Sequence, residues 1–141
     1  PIWQKMVYDI ASNTYRIVAN YNFKYLDGVI NCFKVGNYKE GFSIIKNDSS
    51  LESKICMVFL LKYIVYSIKI SLELCGNVYD CDNAMADGFN WLPPLALIGV
   101  LGGNNEVIKL CKKYLKEDYS ELLKNLPNSK FDYRKYIKAG K

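Results

Sequence analysis

The chain has 141 residues, half of them apolar and 23% charged, with a formal charge of +5. That is enough chain for one domain with its own core, and it excludes an intrinsically disordered protein. Histidine is absent, which removes the commonest general base near neutral pH and the commonest metal ligand.

Residues 5–18 predict a β-hairpin: Val7, Ile10, Tyr15 and Ile17 favour strands, and Ala11-Ser12-Asn13-Thr14 is turn chemistry between them. The β-branched residues and Asn13 argue against the rival, one amphipathic helix from Trp3 to Ala19. A lone hairpin is marginal in water, so helices or a further domain are expected to cover it. From Lys24 to about Lys34, Leu26, Val29, Ile30 and Phe33 recur at helical spacing, and Gly36 ends the run. A second short helix is expected over Tyr38 to about Ile45. Asn47-Asp48-Ser49-Ser50 then forms a loop in which Ser49 or Ser50 caps the next helix.

That next helix, about Leu51 to Cys75, is the expected mechanical centre, roughly 35–40 Å long. Ile55 to Leu61 are apolar all round, which predicts cover on most sides. Lys62 and Lys69 interrupt the run, which favours a core helix over a membrane span. Lys54, Lys62, Lys69 and Glu73 fall on one face and read as a solvated stripe with snorkelling stems. Gly76-Asn77 stops the helix.

From Asp80 to about Asp87 the residues predict a short helix with acidic residues in its first turn, ended by Gly88. Phe89 and Trp91 follow as two large apolar anchors. Pro93 and Pro94 suit the opening turn of another helix, whose Leu95, Leu97, Ile98 and Leu101 enter the core before Gly102-Gly103 closes it. Asp80, Asp82 and Asp87 do not converge on a helix, so capping and solvation explain them better than a metal or acid–base cluster. Asn104 or Asn105 is expected to cap a helix to about Lys116, and a short helix is expected from Tyr119 to Leu126. The fold class is therefore mainly α. One long central helix carries shorter helices, with residues 1–20 as hairpin or arm, 24–126 as helical core and 127–141 as tail.

Charge is uneven: residues 1–105 hold nine basic and nine acidic side chains, and residues 106–141 hold ten and five. Basic and aromatic residues interleave there, but five net charges and no nucleic-acid motif make nucleic-acid binding the lesser reading. Five cysteines, an odd count with no Cys-x-x-Cys spacing, predict neither a disulfide framework nor a zinc site, and point to a reducing, cytoplasmic compartment. Pro1 in the place of an initiator Met suggests a segment of a longer chain.

The pattern Asp80-x-Asp82-x-Ala84-Met85-x-x-Gly88-Phe89-Asn90-Trp91, then prolines, an apolar helix and glycine, resembles the C-terminal helical domain of NAD-dependent 3-hydroxyacyl-CoA dehydrogenases. The nearer likeness is to the second copy of that domain in the multidomain enzymes. The resemblance implies a parent enzyme of fatty-acid β-oxidation that uses NAD. This domain would pack on the NAD-binding domain, wall the acyl-CoA cleft through Asn90 and Trp91, and provide a homodimer interface. No catalytic, metal or cofactor-binding residue is expected on this chain itself. It has no histidine to serve the family's His–Glu pair and no Gly-x-Gly-x-x-Gly fingerprint. Two departures bear on the carry-over. The first copy's substrate-binding Asn has no counterpart around Leu60 to Lys62, and Pro93-Pro94, Ala96 and Gly99 stand where the family carries Gly-Pro and acidic residues. A non-enzymatic helical interaction module is the rival reading.

Overall fold

The computed structural model describes residues 5–18, 23, 25–89 and 91–129. Among them the chain is mainly helical with one two-stranded antiparallel hairpin. Strands β1 (Met6–Asp9) and β2 (Thr14–Ile17) pair with Tyr8 opposite Tyr15 and Asp9 opposite Thr14. Thr14, expected in the turn, thus belongs to β2. Asp9 organises the turn: one carboxylate oxygen accepts from the Ala11 N–H at 3.0 Å and the other meets Arg16 Nε at 3.1 Å. Asn13 takes a left-handed φ of 54°, which its short polar side chain tolerates. Among the described residues no helix covers the hairpin, and Met6, Tyr8, Tyr15 and Ile17 are all exposed.

The helices are α1 (Leu26–Lys34), α2 (Tyr38–Asn47), α3 (Leu51–Ile70), α4 (Val78–Asn83), α5 (Pro94–Leu101), α6 (Asn104–Tyr114) and α7 (Ser120–Leu123). A π-helical turn, Ser71–Cys75, prolongs α3, and another, Ala84–Gly88, prolongs α4. With its π turn α3 therefore fills the expected span from Leu51 to Cys75. Local chemistry sets the boundaries. Asn37 caps α2, Ser50 caps α3 by accepting from the Ser53 N–H at 3.2 Å, and Asn77 caps α4. Gly76, at φ 66°, stops the α3 span, and Gly102 and Gly103 close α5 at φ 115° and 91° with a Gly103 N–H to Ile98 carbonyl bond of 2.9 Å.

The core lies where α3 meets α2, α5, α6 and α7. Met57, Leu61, Ile64 and Ile68 form its buried face on α3, joined by Leu97, Val107 and Leu123 from α5, α6 and α7. Every residue of α5 except Gly99 is buried, and each buried leucine or isoleucine contributes about 2 kcal/mol of transfer free energy.

Ile55 to Leu61 is covered on most sides, and one face of α3 stays open, with Ile55 47% and Phe59 70% exposed. Three expectations need correction. Phe89 and Trp91 are not core anchors but project outward, while Pro93 and Pro94 take the buried places. Gly88 is the last residue of its helix and not the residue past it; Phe89 is the C-cap, and its N–H bonds the Ala84 carbonyl at 3.3 Å. The cap of α6 is Gly103, since Asn104 is already in the helix and turns its amide to the Leu126 carbonyl at 2.9 Å.

The span Leu51–Cys75, at 25 residues, is long and apolar enough to cross a membrane by length and composition. It is also the helix that carries the core.

Candidate aromatic docking face

The outer side of α3 and the bend between α4 and α5 share one aromatic surface. The bend is tied to α3 by Tyr63, whose hydroxyl donates to the Leu92 carbonyl at 2.9 Å. Burial pushes the Tyr63 phenol well above its usual range, with the Cys81 thiol and Asp82 carboxylate adding in the same direction. The phenol therefore stays a donor throughout the physiological range. Its ring meets Trp91 edge-on, centroids 6.0 Å apart at 67°, and Phe89 lies 6.5 Å beyond Trp91. Such edge and tilted contacts match the quadrupoles of the rings and hold their orientation. The backbone supports the same aim, because the Trp91 N–H bonds the Met85 carbonyl at 2.9 Å.

Beneath Trp91 an apolar hollow of about 310 Å³ is lined by Phe42, Phe59, Leu60, Tyr63, Leu92 and Leu97. A wider trough of about 680 Å³ continues from Phe59 and Tyr63 along Lys62, Tyr66 and Lys69 towards Leu115 and Tyr119. The expected lysine stripe on α3 is thus solvated but borders an aromatic trough, and Lys69 pairs with Glu73 at 3.8 Å. Of the two expected cleft residues, Trp91 stands at this surface, 60% exposed; Asn90 lies outside the described residues, as do the basic residues from Lys130 onward.

Asp82 was expected to cap or be solvated; it caps, but a different helix from its own, and from full burial. Helix α5 opens on Pro93 and Pro94, which offer no side-chain oxygen, so the Leu95 N–H needs an acceptor from elsewhere. Asp82 Oδ1 supplies it at 2.9 Å, and Oδ2 accepts from the Ser129 hydroxyl at 2.9 Å. Desolvation raises the Asp82 carboxyl above its ordinary value, against the lowering effect of these two bonds. The carboxylate thereby locks the bend, α5 and the 127–129 segment together. The signal in the sequence was a helix start with two prolines and no cap of its own.

The groups this surface presents are aromatic rings, lysine ammoniums and apolar side chains. No group of three or more Cys, Asp or Glu able to hold a metal occurs among the described residues. The cysteines are unpaired, and Cys111 is pushed up to about 11 by burial, which keeps it a thiol. A dinucleotide fits poorly: the N-terminus of α5 faces the Asp82 carboxylate, which would repel a pyrophosphate where the helix dipole would otherwise attract one. No protein family, curated protein or solved structure matches the chain.

Proposed function

We propose that this chain is the non-catalytic helical domain of an NAD-dependent 3-hydroxyacyl-CoA dehydrogenase of cytoplasmic fatty-acid metabolism. In this role it packs against the NAD-binding domain and walls one side of the acyl-CoA cleft. Hydride and proton transfer belong to groups outside this chain. One observation carries the reading: the segment from Asp80 to Gly102, whose residues bear the resemblance, folds as a helix, an aromatic bend and a second helix, with Trp91 directed outward over an apolar hollow. An exposed aromatic with one rigid orientation suits a wall that must accept an apolar ligand or a neighbouring domain.

The test compares the complete gene product with this chain alone. NADH formation from 3-hydroxyacyl-CoA is expected from the former and not from the latter; turnover by this chain would refute the division of labour. In the complete product, Trp91→Ala is expected to raise the KM for acyl-CoA by about twofold to tenfold, the value of one lost aromatic contact, and to leave the KM for NAD alone. An unchanged acyl-CoA KM would remove Trp91 from the cleft wall.

A free-standing helical interaction module is the second reading, favoured by the open aromatic trough along α3. A glycine-rich nucleotide fingerprint upstream in the gene would decide for the first.

A further inference from the structure

On α3 and its π turn, Ile55, Phe59, Lys62, Tyr66, Lys69 and Glu73 are all exposed. They follow one another in alternating steps of four and three residues, and that mean repeat of about 3.5 keeps a stripe turned towards a second helix. The stripe is anchored from behind, because Met57, Leu61, Ile64 and Ile68 on the opposite face are completely buried. It is also costly to leave in water: Ile55 is 47%, Phe59 70% and Tyr66 67% exposed.

Its order is apolar, aromatic, cation, aromatic, cation, anion. Reversed end to end about Ile64, the four central residues of the stripe become their own complement, with Ile55 and Glu73 meeting at its two ends. Lys62 then faces Tyr66 of the second copy, and Phe59 faces Lys69. Each ammonium meets an aromatic ring, an attraction that strengthens as the pair is desolvated. Parallel pairing would instead set Lys62 against Lys62 and Lys69 against Lys69.

We infer that the occupant of the trough along α3 is α3 of a second copy, crossing antiparallel about a two-fold axis beside Ile64. The interface is isologous, so every cation–aromatic contact is made twice. The stripe and its lysine stems offer roughly 600 Å² per protomer, or about 1,200 Å² in all, at the lower edge of specific protein interfaces. The dimer is therefore a reversible one. This inference stands on α3 and is independent of the dehydrogenase reading.

Sedimentation equilibrium of the chain from low micromolar to millimolar concentration is expected to show a monomer–dimer equilibrium. Phe59→Asp and, separately, Lys69→Glu should each weaken association by about tenfold or more, with circular dichroism unchanged because both side chains are exposed. Val35→Asp, an equally exposed apolar position at the end of α1, should leave association intact. Geometry is read from Cys75, the exposed cysteine just beyond the stripe. Antiparallel helices place two spin labels there about 30–35 Å apart by helical rise, whereas parallel ones bring them to about 10 Å. A chain that is monomeric throughout, a dimer indifferent to Phe59→Asp, or a Cys75-linked disulfide dimer on mild oxidation would each overturn the inference.

Discussion

Asp82→Ala removes the acceptor that α5 lacks, and its cost can be built from the contacts. The Leu95 N–H, 2.9 Å from Oδ1, would be left unpaired in the interior, a penalty of about 1–3 kcal/mol. The Ser129 hydroxyl bond, 2.9 Å to Oδ2, adds about 0.5–1 kcal/mol. Release of a desolvated carboxylate offsets part of this, so a net loss of about 2–3 kcal/mol is expected, roughly 10 °C in the melting midpoint for a chain of this length. Asp82→Asn keeps an acceptor for Leu95 and should cost about 1 kcal/mol. The pH dependence follows from the direction of the shift. Asp82 is raised from an ordinary 3.8, so between the unfolded and folded values the native state holds the extra proton. Its contribution is complete below the unfolded value and is lost as pH rises through the folded one. Asparagine cannot titrate, so the penalty of Asp82→Asn should be largest in acid and shrink towards neutrality. Urea unfolding of both variants over a pH series measures this. A penalty that grows with pH would mean that the charge, and not the placed acceptor, holds α5, and would refute the reasoning.

Two glycines give opposite signs. A Cβ at Gly41 would lie 2.7 Å from Phe33 Cδ1 and 3.3 Å from Cys32 Cβ, and the Phe33 ring is held between Tyr38 and Phe42 at centroid distances of 5.2 Å. Gly41→Ala should therefore cost about 1–3 kcal/mol in urea unfolding. Gly99 lies within α5 with open space around its would-be Cβ, so Gly99→Ala should stabilise by about 0.5–1 kcal/mol. Asp118 is held down at about 2 by the Ser120 hydroxyl, Lys112 and the Ser120 N–H. Its contribution is present above the ordinary 3.8 and is lost as pH falls towards the folded value, so Asp118→Asn should destabilise at neutral pH and become silent in strong acid. Thiol titration of the native chain should modify exposed Cys75 first and buried Cys111, raised to about 11, only on unfolding; rapid native labelling of Cys111 would contradict its place in the core.

Helix periodicity and caps made most of the architecture readable in the residues. Ser50, Gly76 and Pro93-Pro94 are local signals, and each marks a boundary where it was expected. The exposed face of α3 was readable in its charged residues, Lys54, Lys62, Lys69 and Glu73, but not in its apolar ones. Ile55 and Phe59 have the same apolar character as Met57 and Leu61, and only the placement of α2, α5 and α6 decides which pair is covered. The same holds at the bend, where prolines went inward and the aromatics outward. Asp82 was hidden for a further reason: its partners lie 13 and 47 residues away, beyond any local pattern. Of the surface itself, Trp91 was singled out in the sequence, while Tyr63, Tyr66 and Phe59 looked like ordinary members of an apolar helix.

The wide turn at Ala84–Gly88 sits directly upstream of the bend. A π turn holds one residue more than an α turn in the same span, so the segment before the bend carries one residue to spare. Excising a single residue from it would let the turn relax to ordinary α pitch over nearly the same arc and leave the direction of the indole almost unchanged. An excision elsewhere in α4 has no such slack and would rotate everything after it by about a quarter of a revolution.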